Sequence, residues 1–272
     1  MYQDFGHGSP DTSQDKAPDR NESQADSHLH PALTLGTALD ALTGSSDRTG
    51  PLLPTVLADW WGFFYQRWVM VDRVAVFIDY ENAHRTGHGR FGGVGQPKYE
   101  TVLDPLKVAE TLVARRRFDG ELTDVWVFRG RPVPQHQPKP ASSNDLQADA
   151  WSEDDRVHVV RRDLKYDFWD DGTFTAREKG IDVALAVGLT EGALDGAFDV
   201  AIVFSGDTDL LPALELVFRR HLSKLEIATW SGAKPLWFAD FLRQTPPRHL
   251  PFCHFLNEAD FLACRDYSAV DE

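Results

Sequence analysis

From Val71 onward, short apolar runs alternate with longer stretches of helical periodicity. Val74 to Asp79, Leu122 to Arg129, Val157 to Arg161, Val200 to Phe204 and Leu225 to Thr229 are apolar runs of strand length, the pattern of strands covered on both faces. Between them, Pro105 to Phe118, Ile181 to Leu194 and Leu210 to His221 place apolar residues at helical spacing, with Pro212 in a first turn that tolerates proline. Pro235 to Leu242 predicts a short helix, and Phe252 to Leu256 a final strand or loop. Tyr80 to Glu100 carries Gly87, Gly89, Gly92, Gly93 and Gly95 and predicts a loop that folds over a site. Pro132 to Asp155 predicts a polar connection that is not rigid throughout. Asp170-Asp171-Gly172, set between aromatic and threonine residues, predicts a hairpin over Tyr166 to Ala176. Strands separated by helices define the class: α/β, a mostly parallel central sheet with helices on both faces.

The stretch before Val71 reads differently. Residues 1 to about 30 are rich in Asp, Ser, Gln, His and Pro, and predict disorder. Leu33, Leu35, Leu39 and Leu42 suit one short helix, and Trp60 to Trp68 is aromatic. The division expected is a disordered or weakly structured extension over 1–69 and a folded domain over 70–272. Met1 and Met70 are the two methionines. Met70 is a candidate start; the rival reading makes the preceding residues a regulatory or partner-binding extension.

Composition narrows the class further. Two cysteines, Cys253 and Cys264, exclude a disulfide framework and a cysteine-rich zinc site, and suit a reducing cytoplasm. The polar, acidic start lacks a secretory pattern, and Pro51 to Met70 is interrupted by Asp59, Gln66 and Arg67, so no membrane association is expected. The net charge of −14 argues against coating nucleic acid by bulk electrostatics. It leaves room for a local basic rim. The candidates are Arg115-Arg116-Arg117, Arg129 with Arg131, Arg161-Arg162 with Lys165, and Arg219-Arg220, each equally readable as a solvated element end. Trp230, Trp237, Phe238 and Phe241 are expected in the core rather than on an association surface. Oligomeric state is not legible.

Chemistry enters at the strand ends. Val200 to Phe204 runs into Ser205-Gly206-Asp207-Thr208-Asp209, and Val74 to Ile78 into Asp79-Tyr80-Glu81-Asn82. Taken singly, each acid has an innocent reading: Asp79 caps a turn, Asp207 or Asp209 caps the next helix, and Asp182 sits where a helix dipole favours negative charge. Capping does not require two apolar strands to end in acid. Carboxylates gathered at one sheet edge repel each other unless a cation neutralises them. The set Asp79, Asn82, Asp182, Asp207 and Asp209 therefore predicts a Mg2+ or Mn2+ site, hard and oxygen-preferring, suited to phosphodiester chemistry. No Gly-x-x-x-x-Gly-Lys-[Ser/Thr] loop is present, which excludes a P-loop enzyme, and the glycines lack dinucleotide-binding spacing. Asp79-Tyr80-Glu81 keeps phosphotransfer open as a minor rival.

Three pieces together, Phe77-Ile78-Asp79-Tyr80-Glu81-Asn82, Glu178-Lys179-Gly180-Ile181-Asp182-Val183-Ala184-Leu185-Ala186-Val187 and Phe204-Ser205-Gly206-Asp207-Thr208-Asp209-Leu210, resemble the NYN domain family, PIN-like ribonucleases that include LabA-type proteins. The likeness spans roughly Val71 to Leu256. It implies a PIN-like Rossmannoid sheet, Mg2+ or Mn2+, and cleavage of RNA, with single-stranded RNA as the expected partner. Carried over by position, Asp79, Asp182, Asp207 and Asp209 form the metal-binding set and Asn82 orients water or substrate. Lys179, Ser205 and Thr208 approach the substrate. The chain departs from the family at Gly188, where members often carry Asp. The alternative function is a catalytically silent RNA-binding or regulatory module that keeps the acidic pocket.

Overall fold

The computed structural model describes residues 71–236 and 251–267. The readings made for residues 1–69, for Trp237, Phe238 and Phe241, and for all of the Pro235 to Leu242 helix except Pro235 and Leu236 lie outside these.

Six strands form one parallel sheet: β1 (Asp72–Asp79), β2 (Gly120–Arg131), β3 (Val157–Asp163), β6 (Val200–Phe204), β7 (Lys224–Trp230) and β8 (Phe252–Leu256). Two further strands among the described residues, β4 (Lys165–Phe168) and β5 (Phe174–Arg177), make the antiparallel hairpin that Asp170-Asp171-Gly172 predicts. The sheet order is β3-β2-β1-β6-β7-β8. Counting only strands of this sheet, the order is 3-2-1-4-5-6, so the chain reverses its direction of travel between β1 and β6. That reversal opens a crevice at the carboxyl ends of the two strands, where open α/β sheets place ligands. The architecture is the expected α/β one and agrees with a PIN-like Rossmannoid sheet.

Strand alternation divides the core in two. Val74, Val76 and Ile78 face one helical layer, with α1 (Tyr80–Phe91), α2 (Pro105–Ala114) and α6 (Glu258–Ala263). Trp151, the last residue of α3 (Pro138–Trp151), closes the same layer. Ala75 and Phe77 face the other layer, built by α4 (Ile181–Leu194) and α5 (Leu211–Arg220). Ion pairs gather toward the amino-terminal ends of the strands. The buried Arg116 guanidinium reaches Asp72 at 3.0 Å and Glu226 at 3.1 Å, Lys224 reaches Asp72 at 3.0 Å, and Arg73 reaches Asp199 at 3.1 Å.

Two expectations need correction. Tyr80 to Glu100 is not a loop over the site: it opens with α1, followed by a 3-10 turn at Lys98–Thr101. Asp79 starts the helix by accepting the Asn82 amide. Gly87 faces inward, where an added Cβ would lie 2.8 Å from Phe261 and 2.9 Å from Trp230, so glycine here permits close approach rather than ending the helix. Pro132 to Asp155 likewise contains a helix, α3. Pro138 occupies its first turn, and it seats Ala141, Asn144, Ala148 and Trp151 inward, mostly small side chains that leave little apolar periodicity to read.

Candidate functional site

Asp79 is the last residue of β1 and is 4% exposed. Its Oδ1 accepts the Asn82 amide at 3.4 Å, and its Oδ2 accepts the Ser205 hydroxyl at 2.7 Å. Ser205, directly after β6, also accepts the Asp207 amide on Oγ at 3.0 Å. Asp207 then caps a 3-10 turn at Thr208–Leu210 by accepting the Asp209 amide at 2.9 Å. Asn82 crosses the crevice to accept the Gly206 amide on Oδ1 at 3.0 Å. These bonds tie the end of β1 to the end of β6.

Asp182 arrives from the other layer. Gly180 takes φ 77°, a left-handed conformation natural to glycine, and turns the chain from the hairpin into α4. This puts Asp182 in the first turn of α4. One carboxylate oxygen each from Asp79, Asp182 and Asp207 lies within 4.8 Å of the others. Capping and clustering therefore coexist: the oxygens that cap helices leave other lone pairs for the shared centre.

The electrostatics fit a cation. Burial lifts the Asp79 carboxyl to about 6, against the opposing bonds from Ser205 and Asn82, and the charges of Asp182 and Asp207 push it the same way. Burial also raises Asp182, with Asp207 and Asp209 adding to the rise. The donor set is all carboxylate oxygen, compact and short of positive charge, which matches a hard divalent ion.

Asp209 falls outside the three-acid group. It is exposed, and it lines with Asp182, Ala186 and Pro212 a groove of about 590 Å3 between α4 and α5. Lys179 and Thr208 are exposed beside the centre in sequence. Ser205 does not suit the substrate role expected of it: at 1% exposure, its hydroxyl is committed to Asp79 and Asp207. Asn82 spends its carbonyl on the backbone, so it positions the Gly206 turn. A Cβ at Gly188 would sit 3.5 Å from Phe128, in ordinary contact with a core ring. The missing acid there takes no ligand from the group of three.

Two residues take roles that the sequence reading did not assign them. Glu178 accepts the Gly130 amide, and burial lifts its carboxyl to about 7, aided by the charges of Glu81, Asp79 and Asp182. It stands in a polar connection, with only the adjacent Lys179-Gly180 as a signal. Arg129, a rim candidate in the sequence, is a half-buried cation whose guanidinium lies 4.7 Å from the Tyr80 ring centre and 5.0 Å from that of Trp151. Part of the expected basic rim is tied up in ion pairs: Arg131 and Arg161 both grip Asp145, and Arg115 and the buried Arg116 pair with Asp260, Asp72 and Glu226, while Arg162 and Lys165 stay exposed.

The NYN domain family matches residues 73–236. A crystal structure of a protein of unknown function from Vibrio parahaemolyticus RIMD 2210633 is similar to this chain at 16% identity and a TM-score of 0.40, covering 70% of this chain and 94% of that one. No curated protein matches the chain.

Proposed function

This chain belongs to the NYN domain family, whose members are generally nucleases, and we propose that it is a Mg2+- or Mn2+-dependent ribonuclease cleaving single-stranded RNA. The observation that carries this reading is the meeting of Asp79, Asp182 and Asp207, from three separate segments, within 4.8 Å at the point where the sheet order reverses. A divalent ion held by these three would polarise a phosphodiester and activate water. The protein's own part is positional. Ser205 and Asn82 fix the approach of the Asp79 and Asp207 carboxylates, and Gly180 aims Asp182 at them. Asp209 lies at the edge of the centre, and Lys179 and Thr208 are exposed for the substrate backbone.

The nuclease domain is read as residues 70–272. Beyond the matched span, β8 extends the sheet and Phe261 of α6 enters the core beside Trp230, with ring centres 5.4 Å apart. A cytoplasmic setting is supported by the free thiols of Cys253 and Cys264. Among the described residues, no helix is long and apolar enough to cross a membrane.

The test is incubation of purified protein with labelled single-stranded RNA and DNA, with and without Mn2+, beside the Asp207→Asn variant. RNA fragments with 5′-phosphate ends, formed only with the ion and lost in the variant, are expected. Equal cleavage by both proteins refutes the mechanism. No saturable Mn2+ binding at millimolar concentration would leave the silent RNA-binding module instead.

A further inference from the structure

The β4–β5 hairpin displays aromatic surface that neither core uses. Phe168 pairs with Phe174 and Tyr166 with Ala176, so Tyr166, Phe168 and Phe174 share one face. The His136 ring packs against all three, with centroids 4.6, 5.0 and 6.5 Å away. Tyr166 anchors this group: its hydroxyl accepts the Val133 amide at 3.0 Å and donates to Gln137 Oε1 at 2.8 Å. Trp169 lies on the opposite face and is fixed there, donating from Nε1 to Thr175 Oγ1 at 3.2 Å and from its amide to the Thr173 carbonyl at 2.9 Å. Yet Phe168 and Trp169 are each 59% exposed, and Phe174 37%. These rings are held in place and left open, so binding a flat partner would cost little ordering.

Their location selects the partner. β5 leads directly into Glu178, which feels the charges of Asp79 and Asp182, and then into Lys179 and Asp182 itself. Arg162, whose guanidinium lies beside Gly180, and Lys165 stand at the hairpin's root and are exposed, like Lys179. Of the nearby acids, Asp170 and Asp171 are at the tip beyond Trp169, Asp167 pairs with Arg177 at 2.7 Å, and Asp163 at the root pairs with Arg131 at 3.6 Å. Cations at the root and open rings beyond it match a polymer with an anionic backbone and exposed flat bases. A duplex hides its base faces, whereas an unpaired strand offers them.

We propose that the β4–β5 hairpin is a stacking platform for unpaired bases, with Phe168 as the principal ring of one face and Trp169 of the other, holding single-stranded RNA whose backbone passes Lys165, Arg162 and Lys179 toward the carboxylates. This rests on the ribonuclease reading for its substrate. The platform itself is testable without cleavage.

The experiment measures binding of a single-stranded RNA carrying one 2-aminopurine, in EDTA, to the full-length protein and to its Phe168→Ala/Trp169→Ala and Trp169→Phe variants. Wild type is expected to bind and quench the base. The double alanine variant should lose roughly tenfold or more in affinity, together with the quench and with an unchanged salt slope. Trp169→Phe should retain most of both. An abasic strand should bind wild type and the double variant alike. Equal affinity of wild type and double variant for the normal strand overturns the platform, as does no binding by wild type or an equal loss on the abasic strand. Dissolution of a self-associated form without a change in affinity also overturns it, and assigns the rings to a second copy. Cleavage is scored separately in Mn2+. Stacking without cleavage sinks the nuclease reading alone, and cleavage with unchanged affinity sinks the platform alone.

Discussion

At Asp79 one carboxylate caps a helix, accepts a hydroxyl and faces two other acids. Asparagine preserves the first task, since its oxygen can accept the Asn82 amide, and reverses the second, its amide donating to the Ser205 oxygen. It removes the charge that burial disfavours. Asp79→Asn is therefore expected to stabilise the metal-free protein at neutral pH by about 2–3 kcal/mol, from a carboxyl lifted to about 6. The same variant should lose cleavage and all stabilisation by Mn2+. Thermal melts with and without the ion check both halves, and a melt unchanged in EDTA would contradict the electrostatic account. Asn82→Ala leaves the Gly206 amide without its partner at 3.0 Å, and should weaken Mn2+ about tenfold or more in calorimetric titration while sparing the carboxylates themselves. The acids were legible in sequence because apolar strands ended in them. Ser205 was carried toward the substrate by the resemblance, whereas its hydroxyl is seated between Asp79 and the Asp207 amide, a depth that local sequence does not encode. Glu178 opened a resembling stretch without a role of its own, because its bond from the Gly130 amide is a tertiary contact.

Among the elements, α1 carries the largest correction and a direct test. Its glycines read as loop punctuation, yet Gly87 is where the helix comes closest to Trp230 and Phe261. Alanine normally favours a helix over glycine by about 1 kcal/mol. Here overpacking should exceed that gain, so Gly87→Ala is expected to lose about 1–2 kcal/mol net, read as a lower urea midpoint with unchanged slope. A gain in stability would show that the seam has slack. α3 was hidden for a different reason, since a helix that seats alanines and an asparagine on its inner face has almost no apolar contrast. By comparison, α4 and β6 have the bounds read for them in the sequence, and Phe252 to Leu256, left open between strand and loop, is the strand β8.

For the whole molecule, the strand order was beyond the reach of periodicity. Local pattern yields strands and helices, but the pairing of β1 with β6, 126 residues apart between Asp79 and Ser205, is a tertiary fact. That pairing turns separated acids into one centre, and the resulting charge imbalance makes global stability depend on pH. Asp145 and Asp154 are held down to about 2, chiefly by bonds from Arg131 and Arg156, so their stabilising share is lost as pH falls below about 4 toward 2. Asp79 and Glu178 are lifted to about 6 and 7, so the native state keeps their protons longer than the unfolded chain does, and stability falls as pH rises from about 4 through 7. The metal-free protein is expected to be most stable near pH 4–5, with Mn2+ moving that optimum toward neutrality. Denaturant melts across pH, with and without Mn2+, check this, and a metal-free optimum at pH 7 or above would contradict it. The clamp of Arg116, Lys224 and Arg73 on Asp72, Glu226 and Asp199 gives the sheet two unlike poles, one matched in charge and one self-repelling. Inert monovalent salt will thus pull on the molecule from both ends in opposite senses, slackening the outer pairs of the first pole while calming the second.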